Sequence, residues 1–174
     1  WLADWFTDAH RDHLRYVAAH GRWYGWNNTI WLPDETNRAR ELAEEAARAA
    51  AEFAASRQVS GAKSLASARS VAAILQLAGA RRAFAATAEQ WNPDPDLVTA
   101  ATVTLNLATA KTQPPRQSDL ITKSLAVDPA GECPLWLAFL ERVAPGLEPY
   151  LARVAGYCLT GRTTEHARCA SASQ

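Results

Sequence analysis

The stretch LRYVAAHGRWYGWNNTIWLPDE, residues 14–35, decides the fold class. Before it, WLADWFTDAHRD (1–12) reads as the end of a helix, with Trp1, Leu2, Trp5 and Ala9 on one side. Inside it the period shortens. Leu14–Val17 reads as a strand, and Arg22–Trp26 and Thr29–Leu32 are aromatic-rich runs around Asn27-Asn28, a pair that tolerates the positive φ of a tight turn. The result is a small antiparallel unit over about 14–33, packed with Trp23, Trp26 and Trp31.

Beyond it, Pro33-Asp34-Glu35 opens the longest helix, through about Ser56, with Asp34 as N-cap and Glu35 at the positive end of the dipole. Leu42, Ala46, Ala49 and Phe53 recur at helical spacing and form the expected buried stripe. On its charged face Glu41–Glu45 is a like-charge pair and Glu44–Arg48 a favourable one. A second helix spans about 63–78, burying Leu65, Val71, Ile74, Leu75 and Leu77, with Gly79 to end it. WNPDPDL (91–97) is an extended loop in which Asp94 and Asp96 cap turns.

From 97 to 127 the pattern turns strand-like again: LVT, then TVTLNL with Val103, Leu105 and Leu107 alternating, then DLITKSLAV beyond Pro114-Pro115. Two closing helices follow, about 134–143 and 147–159, divided by Pro145-Gly146. The predicted class is α+β, predominantly helical, with two small antiparallel β elements.

The 174 residues suit one domain, and 18 basic residues balance 18 acidic ones. That balance argues against a protein that coats nucleic acid over its whole surface, while leaving room for a local basic patch. Met is absent and Trp1 comes first, so we expect a fragment, a processed product or a conceptual translation that lacks its true start. Cys133, Cys158 and Cys169 match no zinc spacing, and the first two suit buried helix positions. No apolar run reaches the roughly 18 residues of a membrane span, so a cytoplasmic protein is expected.

Five blocks in order carry a resemblance: LRYVAAHGRWYGWNNTIWLPDE, AEQWNPDPDLV (88–98), DLITKSLAV (119–127), CPLWLAFLERV (133–143) and YLARVAGYCLTGRTTEHA (150–167). Together they resemble the region preceding the helicase core in phage- and plasmid-type primase–helicases, a superfamily 3 group that includes the poxvirus primase-helicase. The resemblance implies a helical accessory domain over residues 1–167, followed by an ATP-driven ring helicase. ATP and Mg²⁺ would belong to that core, because no G-x-x-x-x-G-K-[ST] occurs in this chain. Residues 168–174 form an atypical tail, and a frameshift or truncation near residue 167 is expected. TAATVTLNLATAK (99–111) departs from the family as well, with Ala and Asn106 where turn glycines and an acidic residue are usual. Ala at a positive φ would cost stability there.

His10, His13, His20 and His166 set no metal site by spacing, and no nucleophile–base arrangement can be argued, so no catalytic residue is expected in this chain. Aromatics interleaved with Arg are the pattern that stacks bases and contacts phosphate. On that ground Arg15, Arg22, Trp23 and Trp26, with Arg116 and Lys123 beside the second β unit, are the candidate nucleic-acid contacts. Alternation sets Trp23 on the face opposite Tyr24, so part of the cluster must be core. The expected role is a DNA-replication accessory domain whose partners are helicase core, primase domain, DNA and a homo-oligomeric ring. The alternatives are a protein-interaction or oligomerisation module and a non-functional prophage remnant.

Overall fold

The computed structural model describes residues 2–129 and 131–162. Helix α1 (Leu2–His10) leads into strands β1 (Leu14–Val17), β2 (Arg22–Trp26) and β3 (Trp31–Pro33). Helices α2 (Arg38–Ser56) and α3 (Ala68–Gly79) follow, and β4 (Ala85–Ala86) then joins the same sheet. The strand order is β3-β2-β1-β4, with β4 parallel to β1 and the other pairs antiparallel. The class is α+β, as the sequence predicts.

Alternation along β1 and β2 gives the sheet two different faces. Leu14, Tyr16 and Trp23 turn toward the helices and meet Phe6, Val71, Ile74 and Phe84. Val17, Tyr24 and Trp31 turn the other way, against Ala86, Trp91 and Leu120. Phe6, Val17, Trp31 and Phe84 are fully buried. Each contributes about 1.5–3 kcal/mol by leaving water. An exposed ion pair contributes about 0–1 kcal/mol, so these side chains and not the surface charges hold the unit together.

Turn chemistry fixes the connections. Gly21 takes φ 58 to close the β1–β2 link after a short 3₁₀ turn. Asn28 has φ 74, and the Asn27 side-chain oxygen accepts from the N–H groups of Thr29 and Ile30 at 3.0 and 2.8 Å. Asp34 caps α2 as expected, its two oxygens accepting from the N–H groups of Arg38 and Ala39 at 2.8 Å each. The helix itself starts at Arg38, four residues later than Asp34, because the intervening chain turns through Asn37 at φ 61.

Three predicted faces are rotated. In α1 the buried residues are Ala3, Phe6 and Thr7, and Trp5 is 52% exposed. In α2 they are Ala39, Ala43, Ala46, Ala47 and Ala54, while Ala49 and Phe53 face out. Small side chains let α2 approach α1 and α3 closely, and close packing over the alanine row outweighs burial of one large ring. In α3, which begins after a 3₁₀ turn at Ala62–Ala66, Val71, Ile74 and Ala78 are buried and Leu77 is exposed. Along α2, Arg38 reaches both Glu41 at 2.5 Å and Glu45 at 3.9 Å, which relieves the like-charge pair. Glu44 pairs with Arg40 rather than with Arg48.

The second sheet is β5 (Leu97–Thr99), β6 (Thr104–Asn106) and β7 (Lys111–Gln113), in that order and antiparallel. Its inward residues are Thr99 and Thr104, whose hydroxyls bond at 3.0 Å, and Val103, Leu105 and Leu107 are only half-buried. DLITKSLAV is not a strand: it makes one bridge, Thr99 to Ser124. Pro114 and Pro115 just after β7 remove two backbone donors, so the chain leaves the ladder there.

The closing helices α4 (Pro134–Val143) and α5 (Glu148–Leu159) fall where expected. Their packing does not match a core pair. Leu140 is the one buried residue among those described in the two helices, and Cys133 and Cys158 are exposed, not buried as the sequence suggested. Cys158 lines the cleft between the end of α5 and the second sheet. After α5 the chain is clasped to the 92–96 loop. The Gly161 N–H donates to the Pro95 carbonyl at 2.8 Å, and Arg162 bonds both oxygens of Asp96 at 3.0 and 2.5 Å. A Cβ at position 161 would stand 3.3 Å from Pro95, a tight contact that the 92–96 loop would have to yield to by a few tenths of an ångström. Trp1, His166, Cys169 and the tail 168–174 lie outside the described residues.

Candidate nucleic-acid interface

Arg15 sits at the centre of the sheet face that the helices leave open. Its β-register neighbour is Tyr24, and its guanidinium lies 4.8 Å above the ring of Trp31. The Nη1 group donates to the carbonyl of Leu14 at 2.8 Å and to that of Arg11. Among the described residues no carboxylate lies within ion-pair distance of Arg15. Burial pushes its pKa down, with Asp12 opposing the shift; the group stays charged.

Trp31 is the anchor of the face. Its Nε1 donates to the carbonyl of Gln117 at 3.0 Å, and Trp26 and Trp91 stand 5.6 and 6.0 Å from it. Tyr24 lies 4.9 Å from Trp91, and the hydroxyl of Tyr24 meets Nδ1 of His20 at 3.2 Å. The Trp91 Nε1 is buried and has no hydrogen-bond partner among the described residues. A groove of about 470 Å³ opens beside this cluster, lined by Arg15, Ala85, Ala86, Gln90, Gln117 and Ser118, with Leu120 at its edge.

The six candidate residues divide. Arg15 and Trp26 share this face, and Arg22 lies on the same side toward the other end of β2. Arg116 is exposed and adjoins Gln117 at the groove. Lys123 lies elsewhere, lining the cleft between the second sheet and the end of α5. Trp23 is on the helical face, packed 5.0 Å from Tyr16 and 5.2 Å from Phe84. Gln90, Gln117 and Ser118 were not singled out from the sequence, because the 86-residue reach of the Trp31–Gln117 bond brings Gln117 and Ser118 to Arg15, and the pairing of β4 with β1 brings Gln90. Among the described residues no cluster of His, Cys, Asp or Glu is arranged to hold a metal ion. No helix is long and apolar enough to cross a membrane.

The D5 N-terminal-like model matches residues 3–145, which takes in both sheets and helices α1–α4. The chain belongs to the D5 N-terminal-like family. These are N-terminal domains of phage and viral primase–helicase proteins. Four of the five blocks quoted above fall inside the match, including the whole of β1–β3 and α4, whereas the fifth (150–167) lies beyond it. No curated protein matches the chain significantly.

Proposed function

We propose that this D5 N-terminal-like domain is the replication accessory module of a phage or mobile-element primase–helicase, coupling or assembling an ATP-driven DNA helicase. The observation that carries the reading is the family match over 3–145. On this reading the partners are the helicase core and primase domains of the parent protein, its neighbours in a homo-oligomeric ring, and DNA, in the cytoplasm. The residues present do not suit ATP: the chain has no phosphate-loop pattern, so no nucleotide chemistry is assigned to it. ATP and Mg²⁺ would serve the helicase core. Arg15, Arg22, Trp26 and Arg116 face the DNA, with Lys123 as an outlying contact, and Trp23 holds the sheet to the helices.

The exposed apolar rows of α4 and α5 support a docking role. Leu135 is 87% exposed, and Trp136, Leu137, Val143, Leu147 and Tyr150 are each about half exposed or more. A surface of that kind on a folded domain marks a place where another protein surface sits. The same rows favour a pure interaction or oligomerisation module as the second reading.

The test is to sequence the encoding DNA beyond codon 174 and translate every frame. A phosphate loop in any frame shortly downstream is the expected result. Its absence in all frames would overturn the helicase assignment and leave the interaction module as the leading reading.

A further inference from the structure

We infer that the groove beside Arg15 is a phosphate-binding site for single-stranded nucleic acid, built from Arg15, Gln90, Gln117 and Ser118. The inference rests on the replication reading and names where on the domain a strand would lie.

Four observations converge. Arg15 holds a fixed, half-buried cation: Nη1 is anchored on the backbone and the plane is supported on Trp31, while Nε and Nη2 engage no acceptor among the described residues. A guanidinium presented in this way matches an oxyanion in fork geometry. The rest of the groove wall carries no charge: Gln90, Gln117 and Ser118 are polar, and Ala85, Ala86 and Leu120 are apolar. Gln90 spends its oxygen on the N–H of Thr87 at 2.9 Å, which leaves its amide hydrogens to donate. Gln117 turns its Nε2 toward Nδ1 of His13 at 3.4 Å, and its backbone is fixed by Trp31. Asp12 is near enough to act on the charge of Arg15 without pairing with it, and Asp119, next to Ser118, is occupied by Gln113 at 3.0 Å and by the Ser118 hydroxyl at 3.3 Å.

Size and surroundings favour a strand over a duplex. A groove of about 470 Å³ admits a phosphodiester with part of a nucleotide, and cannot take in a double helix. Trp26, half-buried on the same sheet face and 5.6 Å from Trp31, offers a flat apolar ring on which a base can stack. Arg116 and Arg22 flank the face and extend the positive charge along it.

The experiment uses the full chain with a fluorescein-labelled oligothymidylate, followed by anisotropy at several salt concentrations. Wild type is expected to bind, and Arg15→Gln to bind about tenfold more weakly. The slope of log K against log salt should fall by about 0.7, one phosphate's share on a single strand. Because Arg15 also anchors Arg11 and Leu14, a second variant is needed. Ser118→Glu adds a carboxylate in the groove while leaving those bonds alone, and should lose binding with an unchanged circular-dichroism melt. If wild type binds and both variants bind equally well, the groove assignment is overturned while the replication reading stands. If wild type binds no oligonucleotide, the groove is overturned and DNA is removed from the partners, but the helicase assignment still depends on the downstream sequence. Inorganic phosphate that displaces the strand at a concentration no higher than that of the oligothymidylate itself would identify a free-anion site and sink the strand assignment.

Discussion

Replacing Trp31 with Phe tests whether one indole joins the β1–β4 sheet to the second half of the chain. Trp31 is fully buried, so the smaller ring leaves a void worth about 1 kcal/mol in lost apolar burial. The Nε1 donor to Gln117 disappears; the Gln117 carbonyl keeps a bond from the Leu120 N–H at 3.3 Å, so it is not orphaned and the loss is about 1 kcal/mol. Arg15 would lie over a poorer π surface, a further loss of about 0.5 kcal/mol. The whole comes to about 2–3 kcal/mol, a large part of the roughly 5–15 kcal/mol typical of a domain. Urea unfolding followed by far-ultraviolet circular dichroism should show the midpoint falling with the slope unchanged. Trp26→Phe is the control. Trp26 is half-exposed with no indole bond among the described residues, and should cost well under about 1.5 kcal/mol. If the two substitutions cost the same, the reasoning about Trp31 and Gln117 is wrong.

Asp34→Ala removes the acceptor of two helix N–H groups and should cost about 1–2 kcal/mol in the same urea assay. Ala110 holds φ 54 at the β6–β7 turn, so Ala110→Gly should raise stability by about 0.5–1 kcal/mol and lift the melting temperature. Burial, chiefly, holds the His10 imidazole below its ordinary pKa of 6.5, so the folded state binds fewer protons than the unfolded chain as pH falls through 6.5. Stability should therefore decline below that pH until the folded-state pKa is passed, and melts of His10→Gln between pH 7 and 5 should lose that part of the slope. The Arg162 hydrogen bond, before its charge, holds Asp96 below the usual carboxylate range, so the clasp is intact above pH 3.8 and is lost as pH falls through the lower folded value. Asp96→Asn should speed amide exchange at Gly161 at neutral pH, and unchanged exchange there would show that the clasp does not hold α5.

Local chemistry was legible in the sequence and three-dimensional faces were less so. The Asn27-Asn28 turn, the Asp34 cap and the Pro145-Gly146 break are set by one or two side chains acting on their own backbone, and they are where the sequence puts them. The buried side of α2 depends instead on what approaches it. Phe53 outweighs any alanine in hydropathy, yet close approach of α1 and α3 selects the row Ala39–Ala43–Ala46–Ala47. The two-residue strand β4 has no periodicity to read; it exists because Tyr16 N–H bonds the Phe84 carbonyl and brings the segment beside β1. At the candidate site, Arg15 and Trp26 are visible as an Arg-aromatic pattern. Their groove partners are not, since Gln90, Gln117 and Ser118 carry no local signature and arrive through long-range bonds.

The closing helices show what the domain leaves unfinished. Isolated helices of 10 and 12 residues are marginal in water, and burial of Leu140 alone adds about 2–3 kcal/mol. What tethers the pair at its far end is the clasp of Gly161 and Arg162 on Pro95 and Asp96. That loop is tied in turn to the aromatic face, because Asn92 bonds Leu120 and Thr122 next to Trp91 and Trp31. A surface that covered Trp136, Phe139 and Tyr150 would thus stabilise helices joined through one short loop to the Arg15 groove. On the replication reading that surface belongs to the parent helicase, and strand binding and helicase docking would bear on the same loop from its two sides.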